Sequence, residues 1–103
     1  MIDIKDLPNS YQEDIKKAVK TLKENGATEI FIFGSIVNGN FNENSDIDIA
    51  IKGIKREEFY RVASILMFEI EKEIDLVDLD DETDRLSQII LKNGNIIRVD
   101  NLI

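Results

Sequence analysis

The stretch Asp46-Ile47-Asp48-Ile49-Ala50-Ile51 sets the tightest limit on what this chain can fold into. Its residues alternate with a period of two, and in a strand successive side chains point to opposite faces. Ile47, Ile49 and Ile51 therefore face a core, while Asp46 and Asp48 project together from the other side. Upstream, Glu29-Ile30-Phe31-Ile32-Phe33 is a short apolar run stopped by Gly34. Such a run is the signature of a strand buried on both faces. Strands of this kind need covering layers, so the chain must place helices over a sheet.

The covering helices are legible. Ser10 and Glu13 have the spacing of an S-x-x-E capping box. Tyr11, Ile15, Ala18, Val19 and Leu22 follow at helical spacing, with Lys16, Lys17, Lys20 and Lys23 on a solvated face. Asn25-Gly26 ends that helix. Residues 36–45 hold Asn38, Gly39, Asn40, Asn42 and Asn44, a turn-rich loop. A second helix carries Phe59, Val62, Ala63, Leu66, Met67 and Ile70 on one stripe. Ile74 to Leu79 reads as a third strand. A third helix, near Thr83 to Asn93, has Leu86, Ile89 and Ile90 inward and Gly94 as its stop. Ile96 to Val99 suggests a last short strand. The order α-β-β-α-β-α-β predicts an α/β (α+β) fold, a small mixed β-sheet covered by helices. Its 103 residues suit one domain spanning residues 1–103.

Composition narrows the chemistry. The chain has neither cysteine nor histidine. Disulfides, thiolate metal sites and the commonest general base are thereby excluded. Acid–base or metal chemistry must rest on carboxylates, hydroxyls or lysine. A net charge of −8 makes direct binding to nucleic acid unfavourable. No apolar run is long enough to span a membrane. Met1 to Pro8 has no apolar centre, so a signal peptide is not expected and a cytoplasmic location is the default.

The residues that carry chemistry are Gly34-Ser35, then ten residues, then Asp46-Ile47-Asp48. Two carboxylates on one strand face repel unless a cation lies between them. Mg²⁺ suits such oxygen ligands when substrate phosphates complete its shell. Glycine directly after a buried strand allows a tight turn and lets a phosphate approach the backbone. Ser35 adds a hydroxyl and an N–H. Asp75, inside the apolar stretch Ile74-Asp75-Leu76-Val77, is the expected third acid, because a carboxylate there is unfavourable unless paired or metal-bound. If the third strand neighbours the second, Asp75 sits beside Asp46 and Asp48. Two Mg²⁺ ions could then clamp a phosphoryl displacement, with Asp75 taking the proton of the attacking hydroxyl.

This pattern resembles the nucleotidyltransferase superfamily of DNA polymerase β type. The short chain resembles its minimal nucleotidyltransferase (MNT) branch, the MntA-type antitoxins of HEPN/MNT toxin–antitoxin pairs. The resemblance spans roughly residues 10 to 100. It implies the polymerase β-like nucleotidyltransferase fold and transfer of AMP from ATP to a tyrosine of a HEPN-domain toxin, a hetero-oligomeric partner, which silences it. It also implies that Gly34 and Ser35 bind the nucleotide triphosphate. Asp46 and Asp48 then bind Mg²⁺, and Asp75 is the third catalytic and metal-binding acid. The chain departs from the family in the loop. Members often carry arginine two residues before the next glycine or immediately before it, where this chain has Val37 and Asn38, with Gly39 retained.

Competing readings are weaker. A half-exposed polar strand face does not explain two aspartates at i, i+2, since Asp is depleted in strands. Asp78, Asp80, Asp81 and Asp84 are rival third acids, but they crowd into a loop and helix start where solvation and the helix dipole account for them. Two other functions remain: a catalytically inactive binding antitoxin that masks its partner, and a transferase for a small molecule such as an aminoglycoside. The last needs an acceptor pocket that an added domain usually supplies.

Overall fold

The computed structural model describes residues 4–38, 46–93 and 96–102. The elements are α1 (Asn9–Glu24), β1 (Glu29–Phe33), α2 (Ser35–Asn38), β2 (Ile47–Lys52), α3 (Arg56–Glu69), β3 (Ile74–Asp78), α4 (Arg85–Asn93) and β4 (Ile97–Arg98). Short 3₁₀ turns at Ile4–Asp6 and Asp100–Leu102 flank them. The strands form one mixed sheet in the order β3-β2-β1-β4. β1 runs antiparallel to β2 and β4, whereas β2 and β3 are parallel. The parallel pair is possible because α3 carries the chain back across the sheet between the two strands.

The two faces of the sheet are covered unequally. Ile30 and Ile32 of β1 and Ile47, Ile49 and Ile51 of β2 point to one face. There they meet Tyr11, Ile15, Val19 and Leu22 of α1 and Val62 and Leu66 of α3, all at most 2% exposed. The opposite face holds a smaller cluster, in which Ala50, Val77 and Leu79 meet Ile90 of α4, flanked by the half-buried Phe31 and Phe33. β1 is thus fully buried on one face and only half-buried on the other. The expectation of complete burial on both sides is corrected because α4 shields part of that second face.

Several local expectations also change. α1 begins at Asn9 behind Pro8, and no side-chain bond caps it. Ser10 lies inside the helix, so the capping box does not form; the rigid φ of Pro8 leads into the first turn instead. A one-turn helix, α2, occupies the start of the expected loop, anchored by the buried Ile36 and Val37. The expected loop residues Gly39, Asn40, Asn42 and Asn44, and the stop at Gly94, lie outside the described residues, as does the Leu86 side chain. Val62 and Leu66 of α3 and Ile70 just past its end are buried, but Met67 is 73% exposed. It stands on the flank of the stripe, beside β3, where the sheet ends. Ile89 is 49% exposed, because α4 turns Ile90 and not its neighbour toward the sheet. The four lysines of α1 are exposed, as expected. No helix among the described residues is long and apolar enough to cross a membrane.

Leu66→Ala and Ile49→Ala, which empty space in the larger core, should each lower unfolding free energy by about 2–5 kcal/mol in denaturant titrations. Met67→Ala should change it by no more than about 0.5 kcal/mol, the usual range for an exposed position.

Candidate active site

β1 ends at Phe33, and Gly34 turns the chain with φ +79°, a left-handed conformation that favours glycine. Its missing side chain has a second use. A Cβ at Gly34 would overlap Asp48 Oδ2 and sit 3.0 Å from Asp48 Cγ. Glycine therefore makes room for the Asp48 carboxyl at the end of β1. Ser35 then opens α2, whose turn is closed by the Val37 N–H donating to the Gly34 carbonyl oxygen at 3.1 Å. Val37, a position where the family resemblance leads one to expect arginine, is only 2% exposed and belongs to the core.

The register of the sheet assembles the acids. Asp48 lies opposite Phe33 on β1 and opposite Asp75 on β3. Phe33, Asp48 and Asp75 thus form one row across the less covered face, next to the row Phe31, Ala50 and Val77. Asp46 lies one residue ahead of β2, not within it. Its relation to Asp48 is therefore set by the approach to the strand rather than by strict strand alternation. The charge of Asp46 still reaches Asp48.

Asp48 shows the strain of this arrangement. Its carboxyl is pushed up to about 6, first by burial, then by the charge and hydrogen bond of Asp75, and last by the charge of Asp46. Asp75 itself is exposed. Among the described residues, no lysine or arginine pairs with Asp46, Asp48 or Asp75. Nor do any three acids among them converge closely enough to hold a metal ion unaided. The converged unit is the pair Asp48 and Asp75, with Asp46 nearby.

The rival acids are engaged elsewhere. Asp80 accepts the Gly53 N–H at 2.8 Å. Asp81 accepts the Thr83 N–H at 3.0 Å and pairs with Arg56 at 2.8 Å. Asp78 accepts the Asp80 N–H at 2.9 Å. Ser87, fully buried, donates to the Asp78 carbonyl oxygen at 2.8 Å, with Asp84 Oδ2 at 3.1 Å. These groups tie the β3–α4 connection together. Sequence reasoning overlooked Phe33, whose ring shares the face of the acids. Its parity with Phe31 along β1 was the available signal.

A strand–Gly-Ser–turn followed by an aspartate just ahead of a strand and another within it, with a third acid on the parallel neighbour, has a match among protein families. The model of the polymerase beta nucleotidyltransferase family matches residues 13–101. The chain belongs to this family. No curated protein matches the sequence. Among solved structures, a toxin–antitoxin complex with AMP-PNP contains a chain 28% identical, with a TM-score of 0.65 over 81% of this chain and 69% of that one. A complex of a tri-AMPylated Shewanella oneidensis HEPN toxin with its MNT antitoxin contains a chain 27% identical, with a TM-score of 0.53 over 70% of this chain and 58% of that one. A minimal nucleotidyltransferase at 19% identity shares the fold, with a TM-score of 0.64 over 88% of this chain and 92% of that one. The four-stranded mixed sheet with its helices is thus the polymerase β-like nucleotidyltransferase fold.

Two expectations follow from Asp48 and Gly34 in this nucleotidyltransferase. The folded state holds a proton on Asp48 more tightly than the unfolded chain, whose carboxyl titrates near 3.8. The destabilisation is therefore absent below about pH 4, grows through the interval up to about 6, and is complete above it. Without added divalent cation, Asp48→Asn should be more stable than wild type at pH 7, with the difference fading by pH 4 in parallel thermal melts. Gly34→Ala should displace the Asp48 carboxyl and strain the turn; equal stability and activity to wild type would contradict the close approach.

Proposed function

We propose that this nucleotidyltransferase moves AMP from ATP to a hydroxyl of a protein partner, a tyrosine of a HEPN-type toxin, and so acts as that partner's antitoxin. The observation that carries the reading is the pairing of Asp48 with Asp75 beside the Gly34-Ser35 turn. It is supported by similarity to a toxin–antitoxin complex holding AMP-PNP and to an MNT antitoxin bound to a tri-AMPylated HEPN toxin. ATP as donor fits action in the cytoplasm.

In this reading Gly34 and Ser35 hold the triphosphate through backbone N–H groups and the serine hydroxyl. Asp75, the exposed acid, accepts the proton of the acceptor hydroxyl. The freed oxygen bonds to the α-phosphorus. The bond from that phosphorus to the pyrophosphate oxygen breaks, and pyrophosphate leaves. The donor set fits a hard divalent cation, since carboxylates grouped without a cationic side chain, here raising the proton affinity of Asp48, are its usual ligands. Asp46, Asp48 and Asp75 would hold Mg²⁺, as one ion or two. When bound, Mg²⁺ neutralises charge on the phosphates and on the leaving pyrophosphate.

The masking antitoxin without chemistry keeps one observation in its favour: among the described residues no three acids form a ready-made metal site. One experiment separates the two. A candidate HEPN-domain partner is incubated with this protein, ATP and Mg²⁺, and its intact mass is measured. A gain of one or more AMP units that disappears with Asp48→Ala is expected. Asp75→Asn should slow the gain by about 10²–10⁴-fold, the usual worth of a general base. A stable complex without mass gain would favour masking.

A further inference from the structure

Between the C-terminal end of α3 and the start of β3 lies a cleft of about 300 Å³ that reaches Asp75. Met67, Ile70 and Ile74 give it apolar walls, and Glu71, Glu73 and Asp75 give it charge. Lys72 also borders the cleft, but its ammonium is bonded to Asp14 at 2.8 Å and lies 4.6 Å from the centre of the Tyr11 ring. Its charge is therefore directed into the α1 side. Next to Met67, Phe68 is 94% exposed. The exposed Met67 thus lines an acidic cleft that also takes in the third acid, with the exposed Phe68 next to it in the chain.

We propose that this cleft seats the hydroxyl-bearing segment of the protein acceptor, an aromatic side chain flanked by lysine or arginine residues. The inference rests on the transfer reading above. Three features select this occupant. The apolar walls and the exposed Met67 and Phe68 match a ring and its neighbours, since aromatic side chains bury much area at interfaces. Three carboxylates complement basic flanks and repel the triphosphate, so the nucleotide enters by the Gly34-Ser35 side and the acceptor by the β3 side. Asp75 is among the residues that line the cleft, at the sheet edge where an acceptor hydroxyl would have to lose its proton. A second copy of this chain is the poorer occupant, because each copy carries a net charge of −8.

The test compares full chains acting on the HEPN-domain partner: wild type, Glu71→Lys/Glu73→Lys, Met67→Ser/Phe68→Ser, and Glu13→Lys/Glu24→Lys. The last makes the same charge change on α1. The expected result is a KM for the partner raised at least tenfold by the first two variants, with kcat within threefold. AMP-PNP affinity should be unaltered, and the α1 variant should stay within twofold of wild type. An equal rise in the α1 variant would reduce the effect to net charge and overturn the seat. An unchanged KM in the cleft variants would overturn it too, as would AMP-PNP binding tightened tenfold by Glu71→Lys/Glu73→Lys. Failure of the wild type itself to transfer AMP to a partner it binds would instead bring down the transfer reading, and the acceptor seat with it.

Discussion

Asp48 and Asp75 face each other because β2 and β3 run parallel in one register. Parallel pairing requires a crossover, and α3 supplies it. The covering helix, the two strands and the acid pair are therefore one construction. Shifting β3 by a single residue would turn Asp75 to the opposite face and bring Ile74 or Leu76 out of the larger core. The hydrophobic pattern that holds Ile47, Ile49 and Ile51 at the core thus also holds the acids on the other face. Gly34 completes the arrangement by leaving the volume that the Asp48 carboxyl occupies.

Unequal coverage of the sheet gives this pair its electrostatics. One face is sealed by α1 and α3, where burial of isoleucine and leucine supplies the stability. The other is shielded in part by α4 through Ile90. Asp48 lies at the boundary, half-buried, where burial and two neighbouring carboxylates raise its proton affinity. Asp75, one strand further toward the sheet edge, is exposed. Two acids in the same row thus differ in environment, one half-buried and the other exposed. The acids of the β3–α4 connection, by contrast, are engaged with backbone N–H groups, Thr83, Arg56 and Ser87, and shape a loop.

Much of this was readable in the chain before folding. The period-two run around Ile47 to Ile51 and the apolar run of β1 define strands by side-chain alternation alone. The positions of Gly34, Ser35, Asp46 and Asp48 along those strands are local facts. Burial at the element flanks was not readable. Met67 and Ile89 fit helical stripes as well as their neighbours do, yet both are largely exposed. A stripe's width depends on how far the opposing sheet extends, and periodicity carries no information about that. The capping box at Ser10 failed for a similar reason. Its spacing was right, but Pro8 already set the entry into α1 two residues earlier.

The sequence by itself determined the elements, the amphipathic faces and the residue types available for chemistry, because backbone geometry ties side-chain direction to position within a strand or helix. Without histidine or cysteine, that chemistry had to rest on carboxylates, hydroxyls or lysine. Tertiary structure decided which acids meet. Asp75, Asp78, Asp80, Asp81 and Asp84 are near-equivalent by composition, and only the strand order and the β2–β3 register set Asp75 beside Asp48. It also decided that α3 overhangs the sheet edge with Met67 exposed, next to the cleft that leads to Asp75. Pairing across the sheet joins residues far apart in the chain, and the physical reason it escapes local reading is that its energy arises from packing the whole core at once.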